Sequence, residues 1–151
     1  MMIWRIILVV VLILIIAYIA YLIIVYNKMV DLDKEVNAMW DEFKDLLTKR
    51  MDTLNKYVKD NKVKNKDIVN TIKNFDVNTN PTDLVNAYYK LNTILTEDML
   101  DTVKMNTNKI AKFRLEYNDK ALKLNNYVDF IPSTFTAHFH KFKKRIYFRD
   151  K

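Results

Sequence analysis

The chain is 151 residues long, 50% apolar and 28% charged, with two Pro, no Cys, no Gly and a formal net charge of +7. That length makes one domain with at most an appendage, and the missing Cys excludes disulfides, thiolate metal sites and cysteine nucleophiles. The missing Gly excludes phosphate-cradling loops, dinucleotide-binding turns and nucleophile elbows, which need φ > 0 or a close backbone approach, and it favours helices joined by short polar connections.

The first element is the uncharged run Ile6 to Val25, IILVVVLILIIAYIAYLIIV, in which all but four residues are Ile, Leu or Val. As a helix it covers about 30 Å, the thickness of a bilayer's hydrocarbon core. Trp4 and Tyr26 stand at interface depth, and Arg5 and Lys28 can reach the headgroups. A buried core helix is a poor alternative, because so small a protein cannot surround twenty consecutive apolar residues. A cleaved signal is another poor one, because Ala17 and Ala20 make no A-x-A site. The reading is a retained span over 6–25, with residues 1–26 as a single-pass anchor in the cytoplasmic membrane. Lys28, Lys34 and Lys44 follow the span and only Arg5 precedes it, so the positive-inside rule expects the N-terminus outside and the C-terminus inside.

Beyond Lys28, the residues Met29, Leu32, Val36, Met39, Phe43, Leu47, Met51, Leu54 and Val58 step by three or four. That spacing predicts an amphipathic helix, continuous with the span, to about Asp60. Ile68, Val69, Ile72 and Phe75 predict a short second helix after a polar connection. Thr82 is the expected cap of a third, carrying Leu84, Tyr88, Leu91 and Leu95. Thr96 is the expected cap of a fourth, whose stripe runs from Met99 to Ile131 and stops at Pro132. The expected fold is all-α: a transmembrane helix continuing into an antiparallel four-helix bundle over 27–131, two helices long and two short, with the last returning toward the bilayer.

Residues 132–151 form a basic, aromatic tail. Lys141, Lys143, Lys144, Arg145, Arg149 and Lys151 face only Asp150, and the rest of the chain is nearly balanced. Cations interleaved with aromatics suit an anionic headgroup layer. Phe139, Phe142, Lys143, Lys144, Arg145, Tyr147, Phe148 and Arg149 are therefore expected at the membrane interface, together with Trp4, Arg5, Tyr26 and Lys28. Docking on a partner protein and folding back onto the base of the bundle stay open as alternatives. Nucleic acid is not expected as a partner, because the anchor holds the tail at a membrane. His138 and His140, two apart with no third ligand type nearby, make no metal site.

Several segments together resemble the LemA proteins of bacteria. They are Tyr26-Asn27 after the span, Leu-Leu-Thr-Lys49-Arg50-Met-Asp52, Thr107-Asn108-Lys109-Ile110-Ala111 with Arg114, and Tyr117-Asn118-Asp119. Asn125, Pro132-Ser133, Ala137, Phe142 and Tyr147-Phe148 complete the pattern. The resemblance covers the span and both long helices. Asn55 stands where that family usually has Pro, Leu124 where it has Tyr, Ile131 where it has Phe, and His138 and His140 at usual Gly positions; the middle helices are also shorter. The resemblance implies a four-helix bundle on a membrane anchor, with no established enzymatic activity. Relatives are associated with building bacterial intracellular membranes or are encoded near membrane proteases.

Arg50, Asn108, Arg114, Asn118 and Asn125 are the polar positions that this pattern singles out. Asn118 and Asn125 lie seven apart, nearly on one helical face, with Arg50 on the helix expected opposite. An Arg and two amides supply no nucleophile or general base near neutral pH. These side chains are read as interior polar groups that set helix register, and no catalytic residue or cofactor is expected. The expected function is a non-enzymatic scaffold or adaptor at the cell membrane, partnered by the lipid bilayer and by a membrane protein; a homo-oligomer stays open, with no small-xxx-small motif beyond Ala17 and Ala20 to support one in the membrane. The alternative is an accessory or sensor subunit of a membrane protease or signalling system. That role needs a ligand pocket between the helices, which an interior of Phe, Leu and Met argues against.

Overall fold

A computed structural model describes residues 2–148. It is 82% helix, with no strand among the described residues. Six helices follow in order: α1 (Met2–Asp60), α2 (Lys66–Lys73), α3 (Pro81–Ile94), α4 (Glu97–Thr102), α5 (Lys104–Asp129) and α6 (Ser133–Phe139).

α1 runs unbroken for 59 residues, because no Pro or Gly interrupts its hydrogen-bond ladder. It ends in a Schellman turn: Val63 N–H donates to the Val58 carbonyl at 3.2 Å and Lys62 N–H to the Lys59 carbonyl at 3.4 Å. The turn needs a left-handed residue after the cap. In a chain without Gly that residue is Lys62, at φ 48°.

Asn65 caps α2, its side chain accepting from the Asp67 and Ile68 N–H groups. The cap of α3 is Asn80 rather than the expected Thr82: the Asn80 carboxamide accepts from Asp83 N–H at 3.0 Å and donates to the Asp83 carboxylate. Pro81 explains the shift. Its fixed φ and absent N–H suit the first helical position, so the cap falls on the residue before it. Thr96 caps α4 as expected, though without a side-chain hydrogen bond. The single fourth helix expected from the sequence is two helices, α4 and α5, divided at Val103. The tail expected after Pro132 opens with a helix of its own, α6. It closes in a second Schellman turn, with Phe142 N–H on the Ala137 carbonyl at 3.0 Å and Lys141 at φ 58°.

The chain divides into two compact units, Met1–Glu35 with Lys120–Arg145 and Val36–Asp119 with Ile146–Lys151. The basic tail is thus shared between them instead of standing as a segment apart.

In the second unit Met51, Leu54, Ile68, Ile72, Leu91, Leu95, Met99 and Val103 are buried together, drawing on α1, α2, α3 and α4. Val63, placed by the Schellman turn, packs against this cluster. An aromatic cluster adjoins it: Phe43 stacks on Phe113 at 5.5 Å and meets Tyr88 edge-on at 5.8 Å, and Trp40 lies 5.9 Å from Tyr117. The Asn106 amide donates to the Leu46 carbonyl at 2.8 Å. Contacts from Leu46 to Phe43 to Trp40 therefore match Asn106 to Phe113 to Tyr117, so α1 and α5 run in opposite directions through this unit. In the first unit Val25, Met29 and Ala137 are buried against Tyr127, Val128 and Phe142. Lys120 pairs with Glu35 at 2.5 Å and Arg145 with Asp33 at 2.5 Å.

Candidate membrane-interface site

One helix, α1, is long and apolar enough to cross a membrane, and no part of its most hydrophobic window is buried. Trp4, Arg5 and Lys28 are exposed on it. Tyr26 closes the apolar stretch, its ring 4.3 Å from His140 and 6.3 Å from Phe142.

The face presented beside this stretch comes from α6 and the residues just before it. Ser133, Thr136 and Ala137 point inward, whereas Phe135 is 63% exposed and Phe139 81% exposed. Phe135 and Phe139 are four apart and so share one helical face. Phe130 and Ile131 are 65% and 78% exposed. This amphipathicity is inverted relative to a helix on a water-soluble core, where the rings turn in and the hydroxyls out. A groove of about 840 Å³ separates this face from α1, lined by Ile19, Leu22, Ile23 and Tyr26 on one side and by Phe135 and Phe139 among others on the other. Phe139 is among the interface positions expected from the sequence, and Phe135 belongs to the same aromatic tail. Ile131 is not, because the stripe pattern assigns it to a core face. The order of small and large residues in Ser133-Thr-Phe-Thr-Ala-His-Phe139 is the local signal for Phe135 and Phe139.

The remaining tail residues divide. Lys143 and Tyr147 are exposed, and Lys144 pairs with Asp129 at 2.6 Å. Phe142 is half-buried against Val25, Met29 and Ala137. Arg145 is engaged by Asp33, and Phe148 is a correction to the interface reading. Its ring is only 2% exposed, 4.8 Å from Phe43 and 5.3 Å from Tyr117. A cup of aromatic rings offers it more dispersion and apolar burial than a wet headgroup layer does. Arg149 lies outside the described residues.

Two clasps hold this end of the chain. The Asn125 amide donates to the Arg145 carbonyl at 2.8 Å and its oxygen accepts Arg145 N–H at 2.7 Å. Asn118 does the same to Phe148, both bonds at 2.9 Å. An extended segment has no neighbouring strand to satisfy its backbone, and a carboxamide presents a matching donor and acceptor.

Arg50 is fully buried. Its Nη1 donates to Thr107 Oγ1 at 2.7 Å, its Nη2 to Asn92 Oδ1 at 2.6 Å, and its guanidinium carbon lies 6.0 Å from the Tyr88 ring centre. Nε has no hydrogen-bond partner among the described residues. Burial holds the guanidinium below its ordinary pKa, with Tyr88 opposing the shift, and it stays charged at neutral pH. Arg114 is half-buried with its guanidinium 5.4 Å from the Tyr89 ring, and Asn108 is exposed. Asn118 and Asn125 thus join the tail backbone, and Arg50 finds its partners in Thr107 and Asn92. Among the described residues no group of three or more His, Cys, Asp or Glu is placed to hold a metal ion.

No protein-family model, no curated protein and no solved structure matches this chain.

Proposed function

We propose that the protein is a membrane-anchored, non-enzymatic helical scaffold or adaptor of the LemA type. In this reading α1 crosses the cytoplasmic membrane once, with the N-terminus outside, and the remaining helices form an antiparallel four-helix bundle on the cytoplasmic side. The observation that carries it is the continuity of α1, which passes from a wholly exposed apolar window into the core position of Leu54 without a break. The engagement of Arg50, Asn118 and Asn125 in hydrogen bonds to their neighbours supports structural roles for these side chains. The Leu, Met and Phe interior supports a scaffold over a ligand-sensing subunit.

Because the chain has no native Cys, a single Lys56→Cys variant reports topology. Expected outcomes are membrane retention through alkaline carbonate washing and labelling by an impermeant maleimide only after cells are opened. Release by carbonate would overturn the anchor, and labelling of intact cells would overturn the orientation. Crosslinking from the same site in native membranes should capture a recurrent membrane-protein neighbour.

A further inference from the structure

We propose that α6, with Phe130 and Ile131, lies in the plane of the bilayer surface beside the end of the span, and that the groove between α6 and Ile19–Tyr26 takes an acyl chain of a phospholipid from that leaflet. This rests on α1 being a span. One wall of the groove, Ile19, Leu22 and Ile23, is itself part of the apolar stretch, so whatever solvates the last turns of that stretch also reaches the groove. The facing wall is the side of α6 that carries the exposed rings Phe135 and Phe139, with Thr134, Thr136, His138 and His140 beside them. Exposed apolar surface of that extent marks an interaction site, and its continuity with the span selects lipid as the occupant. The groove volume of about 840 Å³ lies within the range of about 300–1,000 Å³ of sites that bind small ligands. Immediately after α6, Lys141 and Lys143 are exposed, and cations at this position complement a lipid phosphate. α6 would then act as a float that sets the depth of α1, while the strap from Phe142 to Phe148 stays on the protein.

The test uses the full chain in vesicles of equal parts phosphatidylcholine and phosphatidylglycerol, with nitroxide labels on single introduced cysteines. Phe135→Cys and Phe139→Cys report α6, Ile15→Cys the span, and Lys56→Cys water. We expect labels at 135 and 139 to be reached by oxygen and shielded from a water-soluble nickel chelate, as the label at 15 is. Labels at 135 and 139 as open to the chelate as the label at 56, with 15 shielded, would overturn the in-plane helix and leave the anchor standing. An open label at 15 would bring down the anchor, and this inference with it. Dipolar broadening at 139 that disappears on dilution with unlabelled protein would mean that a second copy covers the face, which also overturns lipid as the occupant. For the groove, the detergent-purified chain should retain a phospholipid in native mass spectrometry, and Ile23→Trp, which fills the groove from an exposed position, should lower that retention about tenfold. Absence of bound phospholipid, or equal retention by the variant, would overturn the acyl-chain site.

Discussion

Asn118 and Phe148 are joined through both polar groups of one peptide residue, the carboxamide donating to the Phe148 carbonyl and accepting its N–H, each at 2.9 Å. The clasp aims the Phe148 ring at Phe43, Phe113 and Tyr117, so a polar contact and an apolar one depend on each other. Asn118→Asp keeps the acceptor but turns a carboxylate oxygen toward the Phe148 carbonyl. It should destabilise the chain by about 1–3 kcal/mol, read from thermal unfolding in detergent. Phe148→Ala should cost about 3–5 kcal/mol and shift the emission of Trp40, whose ring lies 6.3 Å from Phe148. A Phe148→Ala protein as stable as the parent would show that the strap is not bound.

Arg50 combines a buried stem with two neutral hydrogen-bond acceptors. Arg50→Ala removes the packing and leaves Asn92 Oδ1 unsatisfied, at an expected cost of about 3 kcal/mol. Arg50→Met restores most of the packing and removes the desolvated charge, so it should cost clearly less. Equal losses in the two variants would mean that the hydrogen bonds to Thr107 and Asn92, and not the packing of the stem, carry the effect.

Lys62 and Lys141 occupy left-handed positions at φ 48° and 58°. A side chain with Cβ costs about 1–2 kcal/mol there. Lys62→Gly and Lys141→Gly should each raise the unfolding midpoint, the net stabilisation being up to about 1 kcal/mol after the added flexibility of the unfolded chain is subtracted. A fall in either midpoint would count against the corresponding Schellman turn.

Glu35 titrates below its ordinary value, chiefly because its carboxylate accepts a hydrogen bond from Lys120, with burial opposing. With the folded pKa below the unfolded one, the unfolded chain binds more protons between the two. The contribution is therefore present above the unfolded value of about 4.3 and is lost as pH falls through the folded one. The pair is half-exposed, so the effect is small. Glu35→Gln should lower the unfolding midpoint slightly at pH 6, and the difference from the parent should shrink as the pH is lowered below the unfolded value; a difference that does not shrink on acidification would show that the pair is not its source.

The helical elements were legible from local signals. The uncharged run, the stripe from Met29 to Val58 and the Thr96 cap each depend on residues within a few positions of one another. Errors arose where two local signals competed, as at Pro81, which outranked Thr82 in setting the start of α3, or where no signal existed, as at the Val103 break. For the interface, composition placed Phe142, Phe148 and Arg145 with Phe139, because all four belong to one basic aromatic tail.

The amino-acid sequence by itself determined the helical content, the apolar stretch and the concentration of charge at the C-terminal end, since periodicity and composition are properties of neighbouring residues. Only the tertiary structure decided which tail side chains turn inward. An extended segment has no period that commits a face, and the partners that choose for it, Asn118 for Phe148 and Asp33 for Arg145, lie 30 and 112 positions away.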